Sequence, residues 1–401
     1  MPSVVWRAHS GALVDSVYRT PGYPAIVWLV GGAAWLAWVI VLQCVLGGVV
    51  NVALTERLGR RLAGPRAAIV AAWIVALDPA SIGHSLLVAT ETVATTGLLI
   101  ATLLVHRLWT SLRASVPART VAFEASQAGL VLGLLALIRP SMAVLLLPIA
   151  VGLAAARRSR AAVVVVAIVV GVALVPIGGW FIRNETVART GTLARVDGQN
   201  LLDYGQAAEI VDLHGVSILD RPGVVQIRAI SALPRGDASP VAPDQVDRDP
   251  ARTNRIWRRT GLRLLRQHPA GAVLVAGHSL VRTVVAPGTN LFRGQFSSAD
   301  WKTARPVIDI VAGAWIGLFD VVVAWAVVRS IRRRRWELLA FTAGLAALVL
   351  AGQSGAELYL RFRVPVVPSL AILAGWLVVD VSWGRAGGRR GSSPRRDPMP
   401  P

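Results

Sequence analysis

The feature that most limits what this chain can become is a succession of uncharged apolar stretches, each long enough to cross the roughly 30 Å hydrocarbon core of a bilayer. With 54% of its 401 residues hydrophobic, the sequence reads as an all-α, polytopic integral membrane protein. Nine spans are expected, at residues 31–54, 67–83, 89–106, 126–138, 141–155, 161–181, 306–328, 336–352 and 364–382. A formal net charge of +20 would suggest nucleic acid in a soluble protein. Here the arginines fall in short clusters between apolar segments, which marks cytoplasmic loops, and no nucleic-acid partner is expected. Cys44 is the sole cysteine, so a disulfide framework is excluded, and its place in an apolar run makes it a small buried hydrophobe. The first residues, MPSVVWRAHSGALVDS, lack the apolar core of a signal peptide.

Charge alternation sets the expected topology. Residues 55–66 carry Arg57, Arg60, Arg61 and Arg66, residues 107–125 carry Arg107, Arg113 and Arg119, and residues 156–160 carry Arg157, Arg158 and Arg160. The run Arg332–Arg335 and five further arginines after residue 382 complete the positive side. These connections read as cytoplasmic, and those with little positive charge face outward. Residues 126–155 are then a hairpin of two short helices with Arg139 and Pro140 at its outer tip. The same parity puts residues 1–20 outside, which calls for one more helix ahead of the sequence given. Four regions follow: a transmembrane region with active-site loops (1–182), an outer segment (183–305), the last transmembrane helices (306–382) and a disordered basic cytoplasmic tail (383–401). Within the outer segment, residues 231–254 are rich in Pro, Asp and Arg and lean to disorder. Residues 255–285 suggest one or two amphipathic helices lying in the membrane interface.

Against this frame the remaining polar residues gather at the outer boundary. Ionisable groups at membrane depth are costly, so each is a functional candidate. Arg19 precedes a rigid Thr-Pro-Gly-Tyr-Pro turn that contains Tyr23. Asp78 and Glu91 flank the loop after the second span, Arg139 caps the hairpin, and Glu357, Arg361 and Arg363 lead into the last span. Glu91 also suits a helix N-terminus, Asp78 suits a turn before proline, and Arg139 could snorkel. Gly129 and Gly133 form a small-xxx-small helix-packing face. His84, His268 and His278 are scattered, with no metal-ligand spacing. Arginines beside an acid at a membrane face suit a lipid phosphate that carries a transferable group. The fork of Arg would hold the phosphate as leaving group, and a carboxylate would take the proton of an acceptor hydroxyl.

Five stretches carry a family resemblance: YRTPGYPAIVWL, ERLGRRLAGPRAAIVAAWIVALDPASIGHSLLVATET, GLVLGLLALIRPSMAVLLLP, VPIGGWFIRNETVARTGTLARVDGQNLLDY and LYLRFRVPVVPSLAILAGW. In this order they resemble the landmarks of bacterial C-type glycosyltransferases, relatives of protein O-mannosyltransferases and of the lipid A aminoarabinose transferase. The resemblance covers most of residues 17–382, apart from 206–260. It implies a plasma-membrane enzyme that takes a sugar from a polyprenyl-phosphate donor and passes it, with inversion, to an extracytoplasmic acceptor: glycan, lipid or protein. It implies Glu91 as the active-site acid, and Arg19, Arg139, Arg361 and Arg363 around the donor phosphate, with Tyr23 and Asp78 lining the substrate pocket. The family's catalytic aspartate lies in a first outer loop ahead of the proline turn, where Asp15 is the only acid here. No cofactor is implied, and the sequence leaves metal dependence undecided. Two other classes compete: a lipid or small-molecule transporter, and a relative that binds polyprenyl phosphate without transferring sugar.

Overall fold

The structure is a computed structural model that describes residues 20–31, 35–114, 116–157, 159–189, 191–194, 196–214, 250–285, 298–353 and 362–387. Among them every regular element is helical. Six helices are long and apolar enough to cross a membrane, or seven if the pair Pro65–Leu77 and Pro79–Ser85, bent by 55°, is one span. In chain order they are α1 (Gly22–Leu29), α2 (Leu36–Leu62), α3 (Pro65–Leu77), α4 (Pro79–Ser85), α5 (Glu91–Arg113), α6 (Ala118–Ile138) and α7 (Pro140–Ala156). Then come α8 (Arg160–Ala188), α9 (Val196–His214), α10 (Pro250–Gln267), α11 (Pro269–Val285), α12 (Ser298–Arg332), α13 (Trp336–Ala351) and α14 (Val367–Gly387). The six long helices are α2, α5, α6, α8, α12 and α14, and α7 and α13 are shorter apolar helices. Each expected span overlaps helical residues, but the one at 67–83 is the bent pair α3 and α4, and those at 141–155 and 336–352 are the shorter α7 and α13.

Two helices are central. α14 buries Ala371, Ile372, Leu373, Ala374 and Leu377 against Leu58 of α2, Ala67 and Ala71 of α3, Leu103 of α5 and Ala326 of α12. Helix α5 buries Ala101, Val105 and Leu108 with Ala128 and Leu132 of α6, Leu153 of α7 and Val169 of α8. Outward, large apolar side chains such as Trp38, Trp73, Val163, Ile310 and Val321 stay exposed. A face of that kind suits lipid rather than water, because exposure to water costs the transfer free energy of each side chain.

The hairpin expectation needs correction. Its first arm is 21 residues, not 13, because α6 begins at Ala118 and absorbs Arg119 into its first turn. The Arg107 guanidinium reaches the buried Glu124 carboxylate at 2.6 Å, so α5 and α6 are tied at the end where a long loop was expected. The connection shrinks to Ala114–Pro117. Gly129 and Gly133 do face another helix: an added Cβ would sit 2.5 Å from the Val169 carbonyl oxygen and 2.6 Å from that of Ala173, both on α8. Gly129→Ala should force α6 and α8 apart at a cost of about 1–3 kcal/mol, read as a fall in the thermal unfolding midpoint in detergent.

Between α8 and α12 the structure also departs from expectation. Helix α9 was not foreseen, and it packs against both α10 and α11. Helix α10 starts at Pro250, inside the stretch expected to lean to disorder; most of that stretch lies outside the described residues. Helix α10 spends its apolar face on α9 rather than on lipid: Trp257 packs on Leu202, and an added Cβ on Gly261 would meet the Leu201 carbonyl at 2.3 Å. Only α11 keeps a broad exposed apolar face, with Val273, Leu274, Val281 and Val285.

At the start of α9, burial pushes the Asp197 carboxyl up to about 6 from 3.8, against the opposing pull of the Ala194 amide and the Arg258 charge. The fold therefore holds this proton more tightly than the unfolded chain does. Its contribution to stability is fully present below the unfolded value and is lost as pH rises from about 4 through about 6. Asp197→Asn should flatten that loss and raise the unfolding free energy at pH 7.5 by about 1–3 kcal/mol, with little effect at pH 4.5.

Candidate functional site

The residues of the expected site that fall within the described regions are Tyr23, Asp78, Glu91, Arg139 and Arg363. Asp15, Arg19, Glu357 and Arg361 lie outside them. The structure brings three together, at one end of the bundle, and puts the other two on separate partners.

Glu91 is the first residue of α5 and Arg139 the C-cap of α6. Because Pro140 follows, Arg139 is pushed out of the helical region, to φ −145° and ψ 103°. That ends α6, and its carbonyl accepts from the Met142 amide as the chain turns into α7. The side chain is nonetheless buried, at 7% exposure, against a Glu91 exposed at 4%. Arg139 Nη1 lies 3.7 Å from Glu91 Oε1, a charge contact rather than a fork of two short hydrogen bonds. The guanidinium also sits 4.8 Å over the Phe362 ring, the face where a cation is favoured. The start of the α5 helix adds the positive end of its dipole beside the carboxylate.

A hydrogen-bonded chain fixes the approach to Glu91. The buried Tyr23 hydroxyl on α1 donates to Gln43 Oε1 at 2.7 Å, and Gln43 Nε2 donates to the Leu87 carbonyl at 2.7 Å and to that of Ala89 at 3.3 Å. Those carbonyls belong to the loop that delivers Glu91. Burial first, and the Glu91 carboxylate second, push the Tyr23 phenol well above its ordinary value, so it remains a neutral donor. Below Glu91, Thr96 Oγ1 donates to Asn51 Oδ1 at 2.7 Å, joining α5 to α2.

Asp78 and Arg363 have other partners. Asp78 caps α4: its Oδ2 accepts from the Ser81 amide at 2.8 Å and the Ser81 hydroxyl at 2.7 Å, and its Oδ1 from Trp315 Nε1 at 3.1 Å. Those bonds hold the bend between α3 and α4 against α12. Arg363, only 3% exposed, places Nη2 at 2.7 Å from Asp320 Oδ1 and Nη1 at 3.1 Å from Oδ2, with a further bond of 2.6 Å to the Val284 carbonyl. Its fork is thus matched to a carboxylate of α12, and it sits 5.2 Å over the Phe319 ring.

Sequence reasoning passed over Asp320, Gln43 and Asn51. An aspartate inside an apolar 23-residue stretch was the available signal, and Asp320 was counted within a span instead. Nor do the polar residues all gather at one end: Arg329 meets Asp380 at 2.5 Å and His106 meets Glu337 at 3.0 Å, both near the arginine-rich turn at Arg332–Arg335. Among the described residues no group of three or more His, Cys, Asp or Glu could hold a metal ion.

The fold defines a class, an all-α multi-pass membrane protein with a buried acid–arginine contact at one end of its bundle. No protein-family model, no curated protein and no solved structure matches the chain.

Proposed function

We propose that the chain is a membrane glycosyltransferase that moves a sugar from a polyprenyl-phosphate donor to an extracytoplasmic acceptor at the outer face of the plasma membrane. The observation that carries this reading is the buried contact between Glu91 and Arg139, in register with the landmarks by which the sequence resembles C-type glycosyltransferases. The nine-span topology belongs to the same proposal, with the arginine-rich turns in the cytoplasm and the Glu91 end outside.

At 3.7 Å the guanidinium is near the carboxylate without being locked to it. A donor phosphate, with more charge than a carboxylate, draws Arg139 to itself and frees the Glu91 carboxylate to take a proton. The acceptor hydroxyl oxygen then attacks the anomeric carbon, and the bond between that carbon and the phosphate oxygen breaks. The electron pair leaves with the polyprenyl phosphate, whose growing charge Arg139 stabilises, and the hydroxyl proton passes to Glu91. Tyr23 and Gln43 act as positioning residues, since they hold the loop that carries Glu91. Asp15, Arg19 and Arg361 keep the roles that the resemblance implies. Arg363, paired with Asp320, steadies the start of α14 beside Phe362.

The test is transfer of radiolabelled sugar from a polyprenyl-phosphate donor to a membrane extract by the full chain in proteoliposomes. Wild type should transfer, and Glu91→Gln should lower kcat by about 10²–10⁴-fold, the usual worth of a general base. Donor binding without transfer would assign a binding protein instead. Movement of the intact donor between leaflets would assign a transporter.

A further inference from the structure

Helix α10 has a second face that the transfer reading does not use. Its residues Arg252, Arg255, Arg259, Arg263 and Arg266 are all exposed, and no acid interrupts them between Pro250 and Gln267. At about 100° per residue they fall within a stripe about 80° wide, and at 1.5 Å per residue the stripe is about 21 Å long. The opposite face, Thr253, Asn254, Trp257, Gly261 and Leu264, is buried on α9.

The geometry points to this face as a docking surface for a linear anionic polysaccharide. An amphipathic helix binds a bilayer mainly by sinking apolar side chains into it, and on α10 Leu262 alone among the large apolar side chains stays exposed. What remains exposed is this row of like charges at steps of three or four residues, with Arg258 on its flank. A row of cations complements a chain that carries one anion per repeat, whereas a planar lipid surface would use charges spread over two dimensions. Five arginines so close repel one another, so a polyanion that threads along the row gains both direct charge–charge contacts and release of its own counterions, which makes the binding steeply salt-dependent. The inference stands apart from sugar transfer: a polymer can dock on α10 whether or not Glu91 is a base.

The test uses the full chain in a neutral detergent and fluorescein-labelled polygalacturonate as the probe, followed by fluorescence anisotropy from 50 to about 300 mM salt. Because the whole chain carries +20, a charge-matched control is needed. The triple variant R259Q/R263Q/R266Q should weaken binding at least tenfold and flatten the salt dependence. The variant R332Q/R333Q/R335Q, which removes as many charges from another turn, should change it less than twofold. Since all six side chains are exposed, thermal unfolding should be unaltered in both. Equal losses in the two variants would mean generic attraction, and unchanged binding in the first would remove α10 from the contact. Either overturns the proposal. So would capture by phosphatidylglycerol vesicles that depends on the stripe while polygalacturonate fails to bind, which would assign a lipid surface. Binding that appears only after deletion of residues 231–249 would assign the face to the chain's own Asp237, Asp244, Asp247 and Asp249, with the same consequence.

Discussion

Arg139→Ala should lower the stability of the folded chain by about 3–5 kcal/mol, the usual cost of leaving a buried charge without its partner. Glu91 is 4% exposed, so its carboxylate cannot recover in water what it loses from the guanidinium, and Arg139 also loses its place on the Phe362 ring. The double variant Arg139→Gln/Glu91→Gln removes both charges and keeps polar side chains of similar length. It should regain most of that stability, because a neutral pair needs no counter-charge. Thermal unfolding of Arg139→Gln, Glu91→Gln and the double variant gives the coupling between the two residues. A coupling near zero would mean that the 3.7 Å contact is incidental. Sugar transfer should be lost in all three variants, so the double variant separates a chemical role from a structural one.

The second large effect is expected at Asp320. Asp320→Ala should destabilise by a similar margin, about 3–5 kcal/mol, because Arg363 is 3% exposed and directs both terminal nitrogens at that carboxylate. Arg363 stands where the chain turns into α14, and the residues from Val364 to Leu377 are nearly all buried, so the damage should spread through the bundle. Exchanging the pair for apolar side chains of like volume, Asp320→Leu with Arg363→Met, should restore most of the loss. Should Arg363 instead hold the donor phosphate, Asp320→Ala would leave stability near wild type and alter donor affinity. The two outcomes separate cleanly in one set of melts.

The membrane-spanning character of the chain was legible because it depends on one strong term. Apolar stretches such as 161–181 and 306–328 can only be hydrated at great cost, and the helices α8 and α12 occupy them. Helix ends were less legible, since arginine is tolerated in a first or last turn: Arg57, Arg60 and Arg61 lie on α2, and Arg119 on α6, where loops were expected. Helix α9 was hidden because much of its packing is close backbone approach at glycines, beside the apolar contacts of Leu202 and Val211. An added Cβ at Gly205 would meet the Gly261 carbonyl at 2.7 Å, and one at Gly271 the Ala208 carbonyl at 2.0 Å. Hydropathy carries no trace of such backbone proximity.

At the site, the residue types were legible and their pairings were not. Glu91 and Arg139 stood out as charges at membrane depth, and they meet. Arg363 stood out for the same reason, yet the charge that answers it, Asp320, is 43 residues away in sequence and sits among valines and tryptophans that mask it. Asp78 shows the converse. The plain reading of an aspartate before proline was a turn or N-cap, and Asp78 caps α4 while also accepting from Trp315 on a helix more than 200 residues later. Local chemistry predicted the cap, but only the packed bundle supplies the indole.

The most direct measurement is binding of a polyprenyl phosphate to the purified full chain, by native mass spectrometry, in wild type and in the Arg139→Gln/Glu91→Gln variant. The account predicts a lipid adduct on wild type that falls at least tenfold in the variant, while the two proteins unfold at similar temperatures. A variant that retains the adduct at wild-type level, or a folded wild-type chain that never acquires it, would contradict the placement of the phosphate at Arg139.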